Sequence, residues 1–95
     1  MDEQYYIIRT NRAGVFFGKI KERNGQEVTM TDVRRLWHWD GATECIQLAA
    51  EGVKLPSKCK FTMTVPEVIA LEAIEIIPCS AEATESIKAV PEWKI

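Results

Sequence analysis

The sequence predicts an α+β protein: a small, strongly bent antiparallel sheet or open barrel in the order β-β-β-β-α-β-β-α, with two short helices. Three observations lead there. Short runs rich in Tyr, Ile, Val, Phe and Thr alternate with turn residues along the chain. Asn24-Gly25 is a strong hairpin signal, because both residues accept the positive φ that a tight antiparallel turn demands. The length, 95 residues and 10.8 kDa, corresponds to a folded surface of roughly 5,500 Å² against roughly 15,700 Å² unfolded, so roughly 65% is buried. That is one core, expected as a single domain over residues 1–95, without space for a deep private active-site cleft.

Tyr5 to Thr10 is β-branched and aromatic and reads as the first strand. Asn11 to Gly14 is a turn, and Val15 to Glu22 is the second strand. Gly18 inside it signals a bend, a bulge or a close backbone approach. After Asn24-Gly25, Gln26 to Thr31 returns as the third strand, with Val28 and Met30 on one face. A fourth strand, Val33 to Trp39, follows Asp32 and ends at the Asp40-Gly41 turn. Alternation places Val33, Arg35, Trp37 and Trp39 on one face and Arg34, Leu36 and His38 on the other.

Residues 42–51 read as the first helix, with Asp40 and Thr43 as candidate N-caps and Gly52 as its stop. Ile46, Ala49, Ala50 and Val53 form its apolar stripe. Lys60 to Val65 alternates as the fifth strand, with Phe61, Met63 and Val65 inward and Pro66 at its border. The Leu, Ala and Glu of Val68 to Ile77 permit a helix, but Ile69, Ile74, Ile76 and Ile77 favour one long, bent strand ending at Pro78. Ser80 caps a last helix, Ala81 to Ala89, with Ala83, Ile87 and Val90 inward. Pro91 ends it, and Trp93 folds back onto the body.

The net charge is −2 and the pI near 5.4, which argues against a dedicated nucleic-acid binder. The charge is uneven. Residues 1–60 hold ten Lys/Arg and eight Asp/Glu, and residues 61–95 hold two Lys and six Glu. The basic residues of the first part either share an anion-holding face or belong to a mixed, solvated surface. Cys45, Cys59 and Cys79 are odd in number and widely spaced, with no C-x-x-C and His38 remote in sequence. The pattern fits reduced thiols in a cytoplasmic protein, not a disulfide framework or a metal site. No apolar run approaches the roughly 18 residues a membrane helix needs, and the opening Met1-Asp2-Glu3 shows no secretory signal.

Little here supports catalysis. His38 is the one histidine; as neighbours on one strand face, His38 and Asp40 are able to pair, but no nucleophile is recognisable beside them. Glu72 and Glu75 fall on opposite faces of a strand, and Gly14-x-x-x-Gly18 lacks the Lys-Ser/Thr of a phosphate loop. The densest feature is Arg34-Arg35-Leu36-Trp37-His38-Trp39-Asp40-Gly41. Indoles stack on flat rings and guanidinium groups bind phosphate, so the set suits a nucleotide. Two other readings stand beside it. Trp37 and Trp39 plug the barrel end while Arg35 pairs with Asp32 or a Glu, or the same side chains centre a protein interface.

The run Ala13-Gly14-Val15-Phe16, the stretch Thr31-Asp32-x-Arg34-Arg35-Leu36-Trp37-His38-Trp39-Asp40-Gly41-Ala42, and Ile74-Glu75-Ile76-Ile77-Pro78-Cys79 resemble a family of small phage and prophage proteins of unknown function. So do Gln47-Leu48-Ala49-x-Glu51-Gly52-Val53, Cys59-Lys60-Phe61 and Val90-Pro91-x-Trp93. The resemblance implies a phage context and supplies no activity. In that context the expectation is a non-enzymatic anti-defence protein in the bacterial host cytoplasm. It would sequester a small phosphorylated nucleotide-type ligand at a homo-oligomer interface, by analogy of size and class. Trp37 or Trp39 would stack the base, Arg9, Arg34 or Arg35 would hold phosphate, and His38 and Asp40 would hydrogen-bond the ligand. No cofactor, metal or membrane is expected, and nucleic acid is not the expected partner. The alternative is a protein-interaction module that inhibits a host defence protein.

Overall fold

A computed structural model of the chain describes residues 3–42 and 44–93. The β-branched and aromatic segments form strands as their composition dictates: β1 (Tyr6–Thr10), β2 (Val15–Asn24), β3 (Glu27–His38), β4 (Lys60–Phe61), β5 (Val65–Ala70) and β6 (Ala73–Pro78). Two helices, α1 (Cys45–Glu51) and α2 (Ala81–Lys88), and a 3-10 turn at Pro56–Lys58 complete the order. The fold is the expected α+β class, with an antiparallel sheet that curls without closing. The accessible surface is 5848 Å², close to the size-scaling expectation.

The sheet order is β4-β3-β2-β1-β6, with β5 also lying along β3. β5 and β6 therefore occupy opposite margins, although only Leu71 and Glu72 connect them. So short a link forces the sheet to bend until the margins approach. Two backbone bonds fix the bend: Ala73 N–H donates to the Gln26 carbonyl (2.9 Å), and Asn11 N–H to the Glu72 carbonyl (3.0 Å). The single strand expected over Val68 to Ile77 is instead these two strands. Ala70 and Ala73 are buried at the crossing point, while Leu71 projects outward.

The expected third and fourth strands are one strand, β3. Its apolar phase slips between Met30 and Val33, and the slip is absorbed by a bulge. Asp32 and Val33 together oppose Gly18, between the pairs Phe17↔Arg34 and Lys19↔Thr31. Asp32 takes a positive φ of 48° there, and its carboxylate meets Lys19 Nζ at 2.7 Å. Gly18 does allow a close approach: a Cβ at that position would lie 2.8 Å from Val33 Cβ. The hairpin turn is displaced by one residue from the expected pair. Asn24 pairs with Glu27, and Gly25 (φ 64°) and Gln26 form the loop, a pattern that needs positive φ only at its first position.

Apolar side chains occupy both faces of the sheet. One core cluster holds Tyr5, Ile7, Phe17, Leu36 and Phe61 against the helices, through Leu48, Ala83 and Ile87. The other lies inside the curl and holds Ile8, Phe16, Val28, Met30 and Val33. Adjacent residues such as Ile7 and Ile8 thus enter different cores.

The Ser80 hydroxyl accepts the Ala83 N–H (3.0 Å), and Ala83, Ile87 and Val90 are buried, so α2 follows the expected pattern. α1 differs. It starts at Cys45, and its cap is Glu44, whose carboxylate accepts the Ile46 N–H (3.1 Å). Asp40 belongs to a separate turn, and Thr43 lies outside the described residues. The buried face is Cys45, Leu48 and Ala49, continued by Val53, while Ile46 is 57% exposed. The packed face runs through Cys45, Leu48 and Ala49, which leaves Ile46 and Ala50 exposed. β4 is likewise shorter than expected; Met63 is exposed, and Val65 and Pro66 open β5.

Candidate functional site

β3 carries most of the predicted side chains but delivers them to different places. Arg34 is 4% exposed. Its Nε donates to the Thr62 carbonyl (2.8 Å), and its Nη1 to the carbonyls of Ile87 (3.1 Å) and Val90 (2.9 Å) at the end of α2. Nη2 reaches toward the Phe61 (3.4 Å) and Pro91 (3.5 Å) carbonyls. The guanidinium thus satisfies the carbonyls that a helix C-terminus leaves open. Burial lowers its pKa, and Glu92 partly opposes that. This placement corrects the expectation that Arg34 faces a ligand: its donors are committed to backbone.

Arg9 is also separated from the rest. It pairs with Val15, which packs on the helix-side core, and its Nε meets Glu75 Oε1 at 3.0 Å. Arg35 pairs with Phe16, which belongs to the other core. Directly paired residues share a face, so Arg9 and Arg35 lie on opposite sides of the sheet. The Arg35 guanidinium lies over the Phe16 ring, 5.0 Å from its centroid. Thr62 holds its backbone from both directions: the Arg35 N–H donates to Thr62 Oγ1 (2.8 Å), and the Thr62 N–H donates to the Arg35 carbonyl (3.0 Å). Among the described residues no carboxylate forms a salt bridge with Arg35; Asp32 is engaged by Lys19 instead.

Trp37 is 63% exposed. It is the extra residue of a second bulge, between the pairs Leu36↔Phe61 and His38↔Lys60. A bulge interrupts alternation and re-aims the side chain. This explains why Trp37 and Trp39 do not share a face as expected: Trp39 is half-buried against the helix-side core. Trp37 stacks on Trp93, with centroids 6.2 Å apart and planes 7° from parallel.

The folded-back segment that carries Trp93 is fixed by backbone. Glu92 forms a parallel bridge with Phe61, and the Trp93 N–H donates to the Phe61 carbonyl (2.8 Å). Lys60 Nζ lies 5.5 Å from the Trp93 ring centroid. His38 and Asp40 are both exposed at their side chains, with His38 Nε2 3.7 Å from Asp40 Oδ2.

The surface that results joins Trp37, Trp93, Lys60 and His38, with Asp40 beside His38, while the Arg35 guanidinium lies over Phe16. Trp93 and Lys60 reach it from elsewhere in the chain. The sequence signal for Trp93 was its return after Pro91; Lys60 gave none, because its position depends on the β3–β4 pairing. Cavities of about 460 Å³, beside Gln26 and Ile74, and about 550 Å³, beside Tyr5 and Lys88, are lined by none of the seven predicted residues. Trp37 itself stands open to solvent.

Cys45, Cys59 and Cys79 are free and buried. Burial pushes all three thiols up, Cys79 to about 12, so they are protonated and poor nucleophiles near neutrality. Among the described residues no group of three or more His, Cys, Asp and Glu is placed to hold a metal ion. Nor is any described helix long and apolar enough to cross a membrane.

Fold and surface together define a small α+β protein that presents an exposed aromatic pair beside unburied cations. The chain belongs to the DUF6948 family, a domain of unknown function, which matches residues 3–87. Trp93 lies beyond the matched span. No curated protein and no solved structure matches the chain.

Proposed function

We propose that this protein is a non-enzymatic phage accessory factor that counters host defence by sequestering a small phosphorylated nucleotide-type ligand in the bacterial cytoplasm. The observation that carries the reading is Trp37: a large indole, 63% exposed, raised on a bulge and backed by a nearly parallel second indole. Exposing so much apolar ring to water opposes the hydrophobic effect, and stacking on a base would recover it. Trp37 is the base platform, Arg35 the phosphate partner, and His38 and Asp40 the hydrogen-bonding pair at its edge. Trp39 positions the strand from below.

An open surface on one chain buries little of a small ligand. A second copy closing over Trp37 would supply the missing wall, which is the reason to place the site at a homo-oligomer interface. Native mass spectrometry of protein expressed in a bacterial host tests this. The expected spectrum shows a homo-oligomer with an added mass in the nucleotide range. A bare monomer that also gives no heat with cyclic and ADP-ribose-type nucleotides contradicts it.

The same openness favours one other reading, a protein-interaction module directed at a host defence protein. Exposed tryptophan beside arginine is the composition of interface hot spots. Specific capture of a host protein by the native chain, lost with Trp37→Ala, is its signature.

A further inference from the structure

The cations of this protein are unevenly engaged. On β1, β2 and the turn between them, Arg9 meets Glu75, Arg12 meets Glu72, Lys19 meets Glu3 and Asp32, and Lys21 meets Glu67, while Arg23 donates to the Gly25 carbonyl. On the segment 54–60 the pattern reverses. Lys54, Lys58 and Lys60 are exposed, and none forms a salt bridge with a described carboxylate.

The segment 54–60, which carries all three lysines, wraps the turn that ends the Trp37 strand. A Cβ on Gly41 would lie 2.5 Å from the Lys54 nitrogen, which shows how closely the two backbones approach. Cys59 Sγ donates toward the carbonyls of Leu55 (3.5 Å) and Asp40 (3.8 Å), which ties the segment to that turn. Lys60 pairs with His38, and its ammonium lies over Trp93. The nearby carboxylates are Asp40, which faces His38, and Glu92, whose charge acts on the Arg34 guanidinium.

We propose that Lys54, Lys58 and Lys60 form a phosphate-holding edge beside the Trp37–Trp93 stack, which selects nucleotides with two or more phosphates over monophosphates. This rests on the reading of Trp37 as a base platform. One terminal phosphate carries a charge of about −1.5 to −2, less than three ammonium groups balance. Lysines bind phosphate as point charges and need no bidentate geometry, so a flexible polyphosphate is accommodated on an open surface. The edge takes over the phosphate role that the buried Arg34 and the distant Arg9 do not fill.

Calorimetric titration of the intact chain with adenosine, AMP and ATP, and with the guanosine series, tests the assignment. ATP or GTP should bind at least about tenfold more tightly than the monophosphate, and Lys60→Gln should remove about tenfold of that affinity. The variant should leave the unfolding midpoint nearly unchanged, since Lys60 is exposed. Affinity for the triphosphate should fall as salt rises, with a shallower slope in Lys58→Gln/Lys60→Gln. Equal affinity for mono- and triphosphate, unchanged by Lys60→Gln, overturns the lysine edge and leaves the Trp37 platform standing. Heat from none of the probes, nucleosides included, overturns both.

Discussion

Arg34 and Trp37 are three residues apart on β3, and the fold treats them in opposite ways. The arginine, a type rarely buried unless paired, is 4% exposed; the tryptophan, a type highly buried on average, is 63% exposed. Arg34 is affordable inside because carbonyls from α2 and from the segment after β4 receive its N–H groups. Trp37 is held outside by a bulge and by the Trp93 ring. The contrast teaches that residue type in a dense motif does not assign role. The arginine serves the fold, and the tryptophan is what the fold presents.

The largest expected effect tests the first half of that contrast. Arg34→Met removes the donors from several buried carbonyls at once and should cost about 3–5 kcal/mol of stability. Urea denaturation checks it. A loss below about 1 kcal/mol would mean that water reaches these carbonyls and that the buried network is dispensable. Gly18→Ala attacks the bulge that keeps β3 continuous. Its methyl meets Val33 Cβ at 2.8 Å, and overpacking of this kind costs about 2 kcal/mol. An unchanged midpoint would show that the strands separate there without penalty.

The helix-side core also predicts a pH dependence. The Cys79 thiol is raised from 9.0 to about 12, first by burial. A raised folded-state pKa means that the stability is complete below the unfolded value and is lost as pH rises toward the folded one. Denaturation midpoints should therefore hold to about pH 8.5 and fall above it, with about 1.4 kcal/mol lost by pH 10. Cys79→Ala should flatten that slope relative to the native chain. An equal slope in both would place the alkaline loss elsewhere. Trp37→Ala has the smallest expected effect on folding, below about 1 kcal/mol, because it forfeits one ring stack and little burial. A large loss of stability in that variant would erase the distinction between the two regions and return Trp37 to the core.

Much of this architecture was legible in the residues. The strand-forming runs, the bulge or close approach signalled by Gly18, the Ser80 cap and the Ala83, Ile87 and Val90 face of α2 all follow from local chemistry. The division of β3 was misread because an apolar phase slip looks the same whether the chain breaks or bulges. Asp32 does the latter, in a conformation that aspartate tolerates and most residues avoid. The second bulge, at Trp37, hid for the same reason, and it sent Trp37 and Trp39 to different environments. Long-range pairing was invisible altogether. Nothing local announces that Lys60 lies opposite His38, or that β5 and β6 part toward opposite margins. The Arg34-to-Gly41 motif was therefore readable as unusual, but its division between core and surface was not.

The most direct test of the account is calorimetric titration of the native chain and of Trp37→Ala, side by side, with cyclic, ADP-ribose-type and linear nucleotides. The account predicts heat from at least one nucleotide with the native chain, abolished in Trp37→Ala while its unfolding midpoint shifts little. Binding that survives the loss of Trp37, or a folded native chain that gives no heat with any of them, would contradict it.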